Sequence, residues 1–125
     1  KLAEAERGRG LLAQRAAAFF DDFDVLITPA TIVAPFDVNI RAVNRCNGHE
    51  FENYFDWYTI AYAITATSLP ALSLPCGFTA DGLPVGLQVI GPPRGEASLL
   101  SAAQSMEDLF NIATLVPIDP RSPAQ

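Results

Sequence analysis

The stretch that decides the fold is Thr65-Ala66-Thr67-Ser68-Leu69-Pro70-Ala71-Leu72-Ser73-Leu74-Pro75-Cys76-Gly77-Phe78-Thr79-Ala80-Asp81-Gly82-Leu83-Pro84-Val85-Gly86-Leu87-Gln88-Val89-Ile90-Gly91. Ala71 to Phe78 reads as a strand, with Ser73 and Pro75 at polar or edge positions. Thr79 to Pro84 reads as a turn, because Asp-Gly tolerates positive φ and is a strong hairpin signal. Val85 to Ile90 is the return strand, and Gly91-Pro92-Pro93 breaks it. Gly77, Gly82 and Gly86 flank or form the hairpin, where small residues and positive φ are needed.

Outward from the hairpin, a helix is expected from about Glu96 to Phe110, with Leu99, Ala103, Met106 and Phe110 on one face. Glu96 sits at its N-terminus, where the helix dipole favours an acid. Pro117 to Gln125 holds three prolines and reads as extended. On the other side, Tyr54 to Ala66 is apolar nearly all round, which predicts a buried helix ended by Thr67-Ser68-Leu69-Pro70. Residues 30–53 read as a long irregular loop, punctuated by Pro35, Asn39, Asn44, Asn47 and Gly48. Asp24 to Pro29 reads as a short strand buried on both faces. Leu2 to about Phe20 reads as a helix with a stripe of Leu12, Ala16, Phe19 and Phe23. A helix feeding an apolar strand points to α/β layering.

With 125 residues the chain has the length of one domain. Half its residues are apolar and 18% are charged, the balance of a core-forming chain. The net charge of −6 comes from acids spread along the sequence, with no basic stripe. No nucleic-acid partner is therefore expected, and an anionic membrane surface is disfavoured. The apolar runs fall short of the roughly 20 residues a bilayer requires. Cys46 and Cys76 lie 30 residues apart, which is not a metal-site spacing, and two ordinary thiols in a reducing cytoplasm are expected.

The chemistry-bearing residues are few. His49 is the one histidine, so a Ser-His-Asp triad rests on it alone, and it lies in the polar run Asn47-Gly48-His49-Glu50. Cys46 is three residues away, with no third group to orient a pair. His49, Glu50 and Glu52 form a weak metal cluster at best. No G-x-S-x-G, Walker loop or G-x-G-x-x-G occurs, and no cofactor is expected. Lys1 is the one lysine, and there is no Ser-Ser or Gly-Gly pair. The residues present supply no activated nucleophile.

Pro70-Ala71-Leu72-Ser73-Leu74-Pro75-Cys76-Gly77 followed by Asp81-Gly82-Leu83-Pro84-Val85-Gly86-Leu87-Gln88-Val89-Ile90-Gly91 resembles the C-terminal end of the amidase signature family. That family includes aliphatic and aryl amidases, fatty-acid amide hydrolases and the A subunits of tRNA-dependent amidotransferases. Asp24-Val25-Leu26-Ile27-Thr28-Pro29 resembles the family strand upstream of these motifs, and the helix from Glu96 resembles its closing helix. The resemblance implies an α/β fold: the C-terminal part of the amidase signature fold, a mixed β-sheet with a β-hairpin flanked by α-helices. Its strings read first as sheet-building, and Gln88, Pro84 and Cys76 are taken in that sense.

Family members use a serine nucleophile, a second serine with a cis peptide and a lysine base, all in their N-terminal two-thirds. None of these is recognisable here. The resemblance therefore implies that residues 1–125 are the C-terminal segment of an amidase domain whose catalytic N-terminal part is absent. The full-length enzyme would cleave a carboxamide C–N bond through an acyl-serine intermediate, and this chain alone would be inactive. By position in the family, Asp56, Trp57, Tyr62 and Thr65 are the candidate substrate-binding wall, with no catalytic and no metal-binding residue. The family commonly shows Asn-Leu-Thr-Gly where this chain has Thr65-Ala66-Thr67-Ser68. The implied partners are a small-molecule amide and the remainder of the amidase chain, with a homo-oligomer left open. Two other readings stand beside this one: a non-catalytic binding or structural module, and the A subunit of a tRNA-dependent amidotransferase.

Overall fold

The computed structural model describes residues 1–111. The chain runs through α1 (Leu2–Phe19), β1 (Leu26–Pro29), β2 (Arg45–Cys46), β3 (His49–Glu50), a 3-10 turn (Asp56–Tyr58), α2 (Thr59–Ala63), a second 3-10 turn (Ile64–Thr67), β4 (Ala71–Phe78), β5 (Pro84–Ile90) and α3 (Glu96–Phe110). The expected tail from Pro117 to Gln125 lies outside the described residues.

The hairpin forms as its residues dictate. β4 and β5 pair antiparallel from Ala71 opposite Ile90 to Phe78 opposite Pro84. Gly82, at φ +79°, turns the chain, and the Leu83 amide donates to Thr79 Oγ1 at 3.1 Å. A bulge between Pro75 and Gly77 leaves Cys76 as the extra residue, with Gly77 at φ +149°. Such a bulge suits a strand that carries proline, which has no ladder donor. β1 adds antiparallel to the other edge of β5, giving the order β1-β5-β4. Every pairing among the described residues is antiparallel.

The alternation of side chains separates two faces. Leu72, Leu74, Leu87 and Val89 share the face that meets α3, where Leu74 and Val89 pack with Leu99 and Ala103. Met106 completes this contact as its spacing predicts, whereas Phe110 at the end of the stripe is exposed. α3 ends at Asn111, whose left-handed φ of 54° is a common helix stop. Its entry is held by Gly95, where a Cβ would stand 2.6 Å from Pro92 Cγ. The opposite face carries Thr28, Gln88 and Ser73 in one cross-strand row.

Several expectations are corrected. Residues 30–53 contain a small hairpin, with Arg45 opposite Glu50 and Cys46 opposite His49. Asn47 and Gly48, at φ +46° and +81°, form its two-residue turn, the conformation that Asn-Gly favours. β1 is half-buried in alternation and leaves Ile27 exposed, because it is an edge strand with one covered face. The α1 stripe is not buried: Leu12 and Phe23 are exposed, and Phe19 stacks on Phe23 at 4.5 Å. The segment from Tyr54 to Ala66 is neither one helix nor buried, with Tyr54 55%, Phe55 58% and Tyr62 46% exposed. Thr59, Ile60, Ile64, Thr65 and Thr67 are β-branched and restrict side-chain freedom in a helix, so the segment breaks into short turns. Ser68, at φ +60°, ends it.

Candidate functional site

The four candidate wall residues all lie on or beside the turns between β3 and β4, but they open onto different surfaces. Asp56 and Tyr62 share a shallow concavity of about 780 Å³ with Asn53, Phe55 and Tyr58. Trp57 lies instead on a cleft of about 520 Å³ against Ala30–Phe36 and the turn end of β5. Thr65 borders a smaller hollow of about 360 Å³ with Ala61, Ser68 and Gln88.

Each has local work. Asp56 Oδ2 accepts from the backbone amides of Glu52 at 2.9 Å and Asn53 at 3.2 Å, closing the turn that precedes it. Both amides precede the turn, so the contact fastens the loop that leads into it. Trp57 meets Phe36 edge to face at 5.6 Å and Tyr58 at 4.9 Å. Its indole Nε1 is buried and meets no acceptor among the described residues. The Tyr62 hydroxyl lies 3.3 Å from Thr59 Oγ1. The carbonyl of Thr65 accepts from the Ser68 amide at 3.3 Å.

Spacing of four along the helical turns places Tyr54, Tyr58 and Tyr62 in a ladder, with ring centroids 6.0 and 5.7 Å apart. The Tyr58 phenol is held above its ordinary value of 10.0, first by loss of surrounding water and then by the neighbouring Tyr54 and Tyr62. An aromatic surface of this kind suits an apolar acyl or aryl group, with Asp56 as a polar handle.

Phe36 and Gln88 adjoin this segment although the sequence does not point to either as part of the wall. Phe36 comes from the loop after β1, and nothing local announces its contact with Trp57. Gln88 is the one polar side chain in the apolar strand from Val85 to Ile90, and that oddity is its signal. It is 8% exposed, and its Nε2 donates to the Ala61 carbonyl at 3.3 Å.

The small hairpin sets Cys46 opposite His49, yet Cys46 Sγ lies 3.2 Å from the Ile32 carbonyl and so acts as a hydrogen-bond donor. That contact ties the loop to the hairpin and leaves no thiolate–imidazole pair. Both cysteines are free thiols. No group of three His, Cys, Asp or Glu that could hold a metal ion occurs among the described residues, and no described helix is long and apolar enough to cross a membrane.

Known proteins resemble this chain over most of its length. The chain is 33% identical over 115 residues to the glutamyl-tRNA(Gln) amidotransferase A subunit of Halothermothrix orenii, covering 91% of this chain and 22% of that protein. It is 36% identical over 99 residues to the corresponding protein of Alkaliphilus metalliredigens, covering 78% and 19%. It thus spans about a fifth of the length of these curated relatives. Among solved structures, a chain from a vestigial protein complex that bears on the origins of an s-triazine catabolic enzyme superposes with a TM-score of 0.75 at 25% identity, over 86% of this chain and 23% of that one. A bacterial aryl acylamidase of the amidase signature family superposes with a TM-score of 0.65 at 23% identity, over 88% and 24%, a likeness of fold. The Amidase family model matches residues 1–100, and the chain belongs to the amidase family.

Proposed function

We propose that residues 1–125 are the C-terminal segment of an amidase that hydrolyses a carboxamide C–N bond through an acyl-serine intermediate. In the first step a serine Oγ bonds to the acyl carbon, the C–N bond breaks, and the amine leaves with a proton. Water then cleaves the ester and restores the serine. The nucleophile and its lysine base belong, in this reading, to polypeptide preceding residue 1. The family match over residues 1–100 carries the reading. The chain's single lysine and its lack of a Ser-Ser pair support the division of labour.

The contribution of this segment is the sheet β1-β5-β4 and part of the substrate wall. Asp56, Trp57, Tyr62 and Thr65 are proposed to border the substrate region of the whole enzyme, Asp56 and Tyr62 from one concavity and Trp57 and Thr65 from two others, with the aromatics against its acyl or aryl group. The partners are a small-molecule amide and the remainder of the amidase chain, in a cytoplasmic enzyme that is free to form a homo-oligomer.

A second reading has its own support. The relatives from Halothermothrix orenii and Alkaliphilus metalliredigens are amidotransferase subunits, so this segment would then serve a transferase that acts with partner subunits. One experiment separates the two. The native polypeptide carrying this segment is purified, treated with a fluorophosphonate serine probe, and assayed on a panel of aliphatic and aryl carboxamides. Serine labelling before residue 1 with ammonia release from simple amides is expected. Labelling without hydrolysis, but with amide transfer to Glu-tRNA(Gln), supports the second reading. Neither labelling nor turnover overturns both.

A further inference from the structure

Gln88 joins three elements at once. Thr28 on β1 and Gln88 on β5 are register partners, and Thr28 Oγ1 lies 3.1 Å from Gln88 Oε1. Across the gap, Gln88 Nε2 lies 3.3 Å from the carbonyl oxygen of Ala61 in α2. The Ala61 carbonyl can only accept, so the amide nitrogen must face α2 and the amide oxygen must face Thr28. The Thr28 hydroxyl, with the Pro29 carbonyl as a second acceptor at 3.1 Å, is the donor that faces this oxygen and favours the orientation.

The segment from residue 56 to residue 67 needs such an anchor. Thr67 is its one buried residue, so packing holds it weakly. A five-residue helix also leaves carbonyls that depend on donors from elsewhere. Among the described residues, the Gln88 amide is the side chain whose hydrogen bond ties α2 to the sheet. At 8% exposure this bond is little weakened by competing water.

We infer that Gln88 is a positioning residue for the substrate wall. Held by Thr28, it sets the height and rotation of α2 above the sheet, and with it Tyr62 on α2 and Trp57 on the preceding turn. It acts on substrate affinity through those side chains and takes no part in bond making. The inference rests on the proposed role of that segment as the substrate wall.

The test uses the full polypeptide and a series of aliphatic and aryl carboxamides of rising size. Gln88→Met keeps the length and removes the amide. It is expected to raise KM for the larger amides roughly three- to tenfold, the worth of one hydrogen bond, with kcat within about twofold. Hydrogen exchange of the amides of residues 59–64 should quicken in the same variant. Thr28→Val, which leaves Gln88 in place, should move KM the same way, and Thr28→Ser should restore it. That pair decides the matter if Gln88→Met does not fold. An unchanged KM in both Gln88→Met and Thr28→Val, or a loss of kcat at constant KM, overturns the inference. Tyr62→Ala and Trp57→Phe separate the two levels. If they shift KM while Gln88→Met and Thr28→Val do not, only the role of Gln88 falls. If they leave KM unchanged, the substrate-wall reading falls and the inference falls with it.

Discussion

Gly86 stands against Leu74 so closely that a Cβ added to it would lie 3.3 Å from the Leu74 carbonyl oxygen, with Ser73 Oγ equally near. The restriction is spatial, because the ladder leaves no room on that side of β5. The carbonyl belongs to the backbone of the paired strand and cannot swing aside. Gly86→Val should therefore destabilise the protein by about 1–3 kcal/mol, the usual cost of overpacking, and Gly86→Ala by less. Urea unfolding of the two variants checks this, and equal midpoints for Gly86→Val and the parent would remove the argument.

Leu99 and Leu100 are chain neighbours with opposite surroundings. Leu99 is 3% exposed against Leu74 and Val89, whereas Leu100 is 63% exposed. Leu99→Ala should cost about 2–5 kcal/mol through lost burial and the cavity left behind. Leu100→Ala should stay within about 0.5 kcal/mol. Thermal melts of the pair test whether α3 is seated by the face described.

Asp56 has a structural role apart from the recognition proposed for it. Its carboxylate accepts two exposed backbone amides, so Asp56→Ala should lose about 1 kcal/mol, the worth of an ordinary hydrogen bond. Asp56→Asn keeps an acceptor oxygen and should lose less. A KM change in Asp56→Asn at nearly parental stability would show that the carboxylate also meets substrate. Parental KM in that variant would confine it to the turn.

Tyr58 makes stability depend on pH in the alkaline range. Its phenol ionises above the ordinary value of 10.0 in the folded chain, so the fold favours the neutral form. The contribution is complete below the unfolded-state value and is lost as pH rises through the folded-state value. Unfolding midpoints measured in steps above about pH 10 should fall faster for the parent than for Tyr58→Phe. Parallel curves would contradict the shift.

The hairpin and the closing helix are legible in the sequence because their signals are local. Asp81-Gly82 supplies the turn, and the strand and helix bounds at Ala71, Phe78, Glu96 and Phe110 coincide with those read from the residues. The Asn47-Gly48 dipeptide carries the same kind of signal, but strands of two residues leave no periodicity to accompany it. The candidate wall is legible only as a segment. Its aromatic composition marks residues 54–62, but composition does not say which rings share a surface.

By itself, the sequence determined the turn chemistry, the amphipathic face of α3 and the amidase-like strings, since each depends on residues a few positions apart. Only the tertiary structure decided that β1 pairs with β5 and leaves β4 at an edge. It also decided that the aromatic segment breaks into turns with exposed rings, and that Gln88 bridges Thr28 to Ala61. The two Gln88 contacts join residues 60 and 27 positions apart. Backbone pairing is nearly indifferent to side-chain identity, so the choice of neighbour falls to the packing of α3 on one face of the sheet and to the polar row of Thr28, Gln88 and Ser73 on the other.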